Sequence, residues 1–147
     1  MSRQMPSAKT TTRVTPSLRF AIVDLDRLRG HERTRPGLLK ALAEQIRRDG
    51  VLKRPILVAE GDLVILDGHH RAEALRFLGC RRIPVYLVEY ESDGVRLGTW
   101  PDAVVAIVDK AEILRRGREG DLFPPKTTRH TVSVPLEERP TALEDLR

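Results

Sequence analysis

The sequence has a single cysteine and no long apolar run, and each shortage excludes a class of protein. One cysteine, Cys80, cannot form an internal disulfide or a cysteine-based zinc cluster, because both need several sulfur ligands. The longest apolar run, residues 103–108, falls far short of the roughly 20 residues that cross a bilayer. No basic stretch is followed by an apolar one, so the sequence does not predict a signal peptide. We therefore expect a cytoplasmic protein with no membrane partner.

The charge is positive, but it is unevenly distributed. The 147 residues include 26 Lys and Arg and 21 Asp and Glu, a net charge of +5. Arg3, Lys9 and Arg13 lie in an N-terminal tail without acidic residues. The rest of the chain is nearly balanced, so it lacks the general basic field that holds a nucleic-acid backbone. Nucleic acid is not an expected partner.

Composition and periodicity predict one small α/β (α+β) domain at residues 18–147, after a disordered tail at residues 1–17. The tail has almost no large apolar groups, so little burial could offset the entropy lost on ordering it. The domain is expected to have a small mixed sheet with flanking helices. The predicted elements are a strand from Leu18, a helix over 36–49, a hairpin of 55–58 and 63–66, a helix over 70–78, a strand over 83–90, a helix over about 103–116, and a short terminal helix after a capping box at 141–144.

The most informative segment is Asp-Gly-His-His-Arg at 67–71, between an apolar strand and a helix. A strand-to-helix turn with glycine exposes backbone N–H groups at the positive end of the helix. His and Arg side chains there are expected to add charge-assisted donors for a phosphate. Asp67 is placed either to cap the helix or to contact magnesium. The alternative is an ordinary capped helix whose His and Arg side chains are solvated.

Two further clusters carry groups suited to anions or to proton transfer. Residues 122–130 place two cations, two hydroxyls and a histidine after a Pro-Pro step, and these groups suit a phosphate or a carboxylate. An exposed basic loop is the alternative. His31 and Glu32 follow the first strand, where a loop glutamate is usually only a solvated charge. Trp100 either walls the pocket or belongs to the core or a surface patch.

Together these segments resemble a known family. The run 65–75, preceded by 49–56, resembles the ParB/sulfiredoxin superfamily, and the motifs at 31–32, 67–71 and 122–130 resemble the free L-serine kinases. The resemblance implies a ParB-like fold and transfer of a phosphoryl group from ATP or ADP to the hydroxyl of free L-serine, with Mg²⁺. The choice between ATP and ADP, and between serine and a close hydroxy amino acid, stays open.

The resemblance also implies roles for individual residues. Glu32 matches the family's general base, and phosphoryl transfer does need a base, a phosphate cradle and counter-charge. Asp67 is the second choice for the base and the first for the metal. Phosphate binding is expected from Gly68, His69, His70, Arg71, Lys126, Thr127 and Thr128, and substrate binding from His31, Trp100, Arg129 and His130.

The main alternative is a non-catalytic ParB-like nucleotide-binding regulator, acting in transcription or on DNA, because binding and catalysis can share one pocket. A DNA-bound switch would need a helix-turn-helix reader, and no helical pair with a basic recognition face follows the last strand. A sulfiredoxin-like reductase would need a cysteine where this chain has His69 and His70. Compared with the kinases, the chain has little sequence after the basic motif. If that part closes over the nucleotide, activity is expected to be weak or to need a second subunit, so a homodimer stays open.

Overall fold

A computed structural model describes residues 17–100, 109–125 and 127–147. The predicted tail therefore lies outside the described residues except for Ser17. The strands within these ranges are β1 (Leu18–Asp24), β2 (Val51–Leu52), β3 (Ile56–Ala59), β4 (Ile65–Asp67), β5 (Arg82–Val88), β6 (Val95–Thr99), β7 (Thr128–Val132) and β8 (Thr141–Ala142). The helices are α1 (Pro36–Asp49), α2 (His69–Phe77) and α3 (Lys110–Glu119), with 3₁₀ turns at Leu25–Arg27 and Leu143–Asp145.

A four-stranded mixed sheet forms the centre of the fold, in the order β1-β5-β3-β4. Strand β1 is antiparallel to β5, β5 is parallel to β3, and β3 is antiparallel to β4. Two small antiparallel pairs, β2 with β8 and β6 with β7, complete the described strands. This arrangement confirms the predicted α/β class with a small mixed sheet.

The sheet is buried on both faces, because alternate residues of its inner strands point to two separate cores. Ile56 and Val58 of β3 pack in the core that includes residues of α1 and α2. Leu57 and Ala59 of the same strand pack in the opposite core, with Ile113 of α3. Burial on both faces explains why β3 is a continuous apolar run rather than an alternating one.

The predicted boundaries of the first two helices agree with the structure to within one residue. Pro36 occupies the first turn of α1, and Gly50 ends it in the left-handed conformation at φ 71°. Helix α2 runs one residue earlier at each end than predicted. None of the helices in the described part of the chain has the length and apolar character needed to span a membrane.

The C-terminal third departs most from the sequence expectations. The last helix begins at Lys110, because Asp109 is extended and its side chain accepts a hydrogen bond from the Glu112 N–H as an N-cap. Residues 103–108 of the predicted helix lie outside the described residues. The basic segment ends in strand β7, not in a loop. The predicted capping box is wrong, because Thr141 lies in β8 and the 3₁₀ turn after it has no side-chain cap.

Candidate active site

A cavity of about 570 Å³ lies where β4 ends and α2 begins. Most of the residues singled out in the sequence meet there, although they come from distant parts of the chain. The cavity also has apolar walls, from Leu38, Leu42 and Leu66, that the sequence analysis missed. The sequence carries no signal for them, because the exposure of Leu38 on α1 is visible only in the structure. The lining residues are Glu32, Leu38, Leu42, Leu66, Asp67, Gly68, His69, His70, Arg71, Trp100, Thr128, Arg129, His130 and Thr131.

The turn into α2 is shaped by Gly68. Its φ of 116° is a conformation that residues with a side chain rarely adopt, and a Cβ there would lie 2.3 Å from Cγ2 of Ile56. Gly68 is itself the N-cap residue and no side chain caps the helix, so the prediction that Asp67 caps α2 is wrong. The first turn of α2 instead opens toward the cavity, where helix N–H groups and the helix dipole favour an anion.

The loop that carries Glu32 is fixed by backbone hydrogen bonds on both sides. Phe123 N–H donates to the His31 carbonyl and Arg33 N–H donates to the Phe123 carbonyl, both at 2.8 Å. Earlier in the same loop, Ile65 N–H donates to the Arg29 carbonyl at 2.8 Å. The loop is thus held between β4 and the segment before β7, which fixes the backbone of Glu32 at the cavity.

The Glu32 carboxylate is held by the start of β7. Its Oε1 accepts hydrogen bonds from the N–H groups of Thr127 (3.1 Å) and Thr128 (2.9 Å), and lies 3.0 Å from the Thr128 hydroxyl. Thr127 is fully buried and its own hydroxyl donates to the Pro124 carbonyl. The prediction that Thr127 binds phosphate is therefore wrong, because both of its donors are used within the protein. Lys126, from the same motif, lies outside the described residues.

His31 lies behind Thr128 and does not line the cavity. The side chain is fully buried, so the prediction that it contacts substrate is wrong. Its Nδ1 lies 2.7 Å from the Ile65 carbonyl and its Nε2 lies 2.9 Å from the Thr128 hydroxyl. Burial, assisted by the charge of Arg116, lowers the pKa of His31 to about 4. The ring is therefore neutral at physiological pH.

The other histidines also act as hydrogen-bond acceptors. Nε2 of His69 accepts from the His31 N–H, and Nε2 of His70 accepts from the Arg35 N–H. Burial lowers the pKa of His69 well below its usual value and that of His130 to about 3. His69 lines the cavity as a neutral ring, and its binding of phosphate stays a prediction.

His130 is held from the far side by Tyr90, a contact that the sequence analysis missed. The Tyr90 oxygen lies 2.7 Å from Nε2 of His130. Burial raises the pKa of Tyr90, so the phenol keeps its proton and donates it to the neutral ring. Nε2 of His130 is thus engaged by Tyr90, whereas its Nδ1 is buried with no hydrogen-bond partner among the described residues. Because His130 also lines the cavity, its contact with substrate stays a prediction.

Two arginines line the cavity in different ways. Arg71 Nη1 donates to the carbonyls of Arg54 (3.1 Å) and Pro55 (3.0 Å), and its Nη2 lies 3.5 Å from the Asp67 carboxylate. These contacts tie the start of α2 to the loop before β3. The Arg129 guanidinium lies 4.9 Å from the centre of the Trp100 ring, whose Nε1 donates to the Thr128 carbonyl. Trp100 therefore walls the cavity, as predicted, and carries an exposed cation on its face.

Asp67 is the exposed carboxylate at the end of β4. No cluster of three or more His, Cys, Asp or Glu side chains suited to a metal ion occurs within residues 17–100, 109–125 and 127–147. Mg²⁺ in phosphoryl-transfer sites is commonly held by one or two carboxylates together with substrate phosphates and water. Asp67 is one of two carboxylates on the cavity lining, with Glu32, and its exposed side chain fits that kind of site. The assignment of magnesium to Asp67 stays a prediction.

Comparison with known proteins gives three related results. An ATP-dependent L-serine kinase of Staphylothermus marinus is 36% identical over 102 residues, which are 65% of this chain and 40% of that protein. An ADP-dependent L-serine kinase of Thermococcus kodakarensis is 33% identical over 90 residues, 58% of this chain and 37% of that protein. The chain thus spans about two fifths of the length of these curated relatives. A solved free serine kinase in complex with AMP shares the fold, with a TM-score of 0.80 at 19% identity, over 90% of this chain and 95% of that one.

The family model for the ParB N-terminal domain matches residues 4–97. This match covers more than half of the sequence and includes β1 to β5, α1, α2 and the Glu32 loop. The chain therefore belongs to the ParB N-terminal domain family.

Proposed function

We propose that this chain is a kinase of free L-serine, which transfers a phosphoryl group from ATP or ADP to the serine hydroxyl and yields O-phospho-L-serine. The observation that carries the proposal is the Glu32 carboxylate, fixed through its Oε1 on a cavity that the first turn of α2 also lines. Transfer of a phosphoryl group to a hydroxyl requires a proton acceptor and a site that binds the negative phosphate oxygens. This cavity has both, in Glu32 and in the N-terminal end of α2. The names of the curated relatives support the same reaction.

In this proposal the nucleotide phosphates lie against the start of α2. Backbone N–H groups near Gly68, together with the helix dipole, stabilise the negative oxygens, while Arg71 supplies positive charge beside them. His31, His69 and His130 act as neutral groups that shape and support the cavity. Glu32 takes the proton from the serine hydroxyl as that oxygen attacks the terminal phosphorus, and the bond from phosphorus to the nucleotide oxygen breaks.

Arg129 is the side chain we assign to the amino-acid carboxylate. It is exposed and stacked on Trp100, and among the described residues its planar guanidinium makes none of the backbone contacts that hold Arg71. Asp67 is the residue that would hold Mg²⁺. When bound, the metal would contact phosphate oxygens and reduce their charge.

The proposal is tested by incubating the purified protein with MgCl₂, either nucleotide, and L-serine, L-threonine or L-alanine, and analysing the products by mass spectrometry. L-Alanine is the matched control, because it lacks only the hydroxyl. We expect O-phosphoserine from serine and no phosphorylated product from alanine. Nucleotide binding by calorimetry without any phosphorylated amino acid would contradict the kinase and favour a nucleotide-binding regulator.

A further inference from the structure

The Thr128 hydroxyl lies between two hydrogen-bond acceptors. Its oxygen is 3.0 Å from Oε1 of Glu32 and 2.9 Å from Nε2 of His31. A hydroxyl has one proton, so it donates to only one of these groups at a time. The other acceptor is then left without that donor, and the choice depends on which acceptor is stronger.

The state of His31 follows from its other contact. Nδ1 faces the Ile65 carbonyl at 2.7 Å, and since a carbonyl only accepts, Nδ1 carries the ring proton. A second proton on Nε2 is disfavoured by burial and by the groups that face the ring, which are His69 of α2, His130 of β7 and Arg116 of α3. Nε2 is therefore a permanent acceptor pointing at Thr128.

The charge on Glu32 decides which acceptor is stronger. An ionised carboxylate attracts a hydroxyl more strongly than a neutral imidazole does, because hydrogen bonds to charged groups are about twice as strong. Once the carboxylate has taken up a proton, its oxygen is the weaker acceptor and the imidazole nitrogen is preferred. The Thr127 and Thr128 N–H groups keep Oε1 in place in both states.

We propose that Thr128 and His31 are positioning residues for Glu32, and that the Thr128 hydroxyl turns from Glu32 to His31 when the carboxylate takes up the serine proton. The inference rests on the proposed function. In the step, the serine O–H bond breaks and its proton goes to Glu32, the new O–P bond forms, and the nucleotide oxygen leaves with the electron pair of the broken P–O bond. Glu32 later returns its proton to water, and the hydroxyl turns back.

The matched variants are Thr128→Val, which keeps the shape and removes the hydroxyl, and Thr128→Ser, which keeps the hydroxyl. We expect Thr128→Val to lower kcat about ten-fold with the KM for nucleotide within two-fold, and to move the acidic limb of the pH–kcat profile up by about one pH unit. Thr128→Ser is expected to restore both to near the wild-type values. Equal kcat values and equal acidic limbs of the pH–kcat profile for Thr128→Val and Thr128→Ser would overturn the proposal.

A second measurement does not depend on turnover or on the stability of a Thr128 variant. In ¹⁵N NMR of the His31 ring at pH 7, we expect Nδ1 protonated and Nε2 unprotonated. Glu32→Gln mimics the neutral acid, so it should fix the hydroxyl on His31 and move the Nε2 resonance toward the value of a stronger hydrogen-bond acceptor. A protonated Nε2, or a resonance that does not respond to Glu32→Gln, would overturn the proposal. Failure of the proposed function alone would appear differently, as wild-type protein that makes no phosphoserine.

Discussion

Glu32 is held by donors that do not depend on its charge, which makes a conservative test possible. Glutamine offers an oxygen to the Thr127 and Thr128 N–H groups but cannot accept a proton. We expect Glu32→Gln to keep nucleotide affinity within a few-fold by calorimetry, while kcat falls roughly 10²-fold or more, the usual scale for a positioned general base. Glu44→Gln, on the exposed side of α1, is the matched control and should keep full activity. Near-normal turnover in Glu32→Gln would remove Glu32 from the mechanism.

Which residues meet at the site could be predicted from the sequence, but which atoms face the cavity could not. The motifs at 67–71 and 128–130 lie at the ends of elements, and residues 31–32 lie in the loop between the first 3₁₀ turn and α1. Their meeting at one edge is a consequence of the fold. Thr128 and Arg129 are neighbours in β7, yet one is buried and the other exposed. Side chains along a strand point alternately to its two faces, so a register shift of one residue would bury Arg129 and expose Thr128. His31 was misassigned for a related reason, because nothing in a His-Glu pair says which side chain points inward.

At the scale of single elements, the turn before α2 is the most constrained part of the site. Gly68→Ala combines a strained φ of 116° with a clash against Ile56, whereas Gly61→Ala at φ 96° meets nothing within 4 Å. We expect Gly68→Ala to lower the free energy of unfolding by about 2–4 kcal/mol and Gly61→Ala by only about 1–2 kcal/mol. Urea denaturation of both variants measures the difference. Equal losses would contradict the close approach of β3 to this turn.

The elements that were predicted correctly share a physical cause. Strands β1, β3, β4 and β5 are short runs rich in apolar residues. Helices α1 and α2 carry apolar residues at helical spacing and have glycine or proline at their ends. Strands β6 and β7 have exposed positions at Arg96, Gly98 and Arg129, and their pairing buries little. Strands β2 and β8 have two residues each and exist only through tertiary pairing. Strands of this kind cannot be predicted from the local periodicity of apolar residues.

At the scale of the whole molecule, the buried histidines make stability depend on pH. His31 is neutral in the fold, with its pKa lowered from 6.5 to about 4, so below pH 6.5 the unfolded chain binds a proton that the folded chain does not. The stability associated with the neutral His31 ring is complete above pH 6.5, and the free energy of unfolding falls as the pH is lowered toward 4. We expect His31 to account for a loss of about 2 kcal/mol between pH 7 and pH 5. His69 and His130 act in the same direction.

Urea midpoints measured between pH 7 and pH 5 test this expectation, because most carboxylates are still ionised in that range. His31→Asn is the control, since its amide nitrogen can donate to the Ile65 carbonyl in place of Nδ1 while the titrating group is removed. We expect the slope of stability against pH to be shallower in the variant. A wild-type stability that does not change between pH 7 and pH 5 would mean that the histidines are not held neutral.

The central claim is that this ParB-type domain catalyses phosphoryl transfer to serine in the cavity beside Glu32. Phosphorus NMR of the purified protein with Mg²⁺, L-serine and ATP or ADP follows donor and product in one experiment. We predict that a phosphomonoester resonance of O-phosphoserine grows as the terminal phosphate of the nucleotide disappears, and that Glu32→Gln slows this growth at least 10²-fold. No phosphoserine resonance with either nucleotide, from protein shown to bind that nucleotide, would contradict the claim.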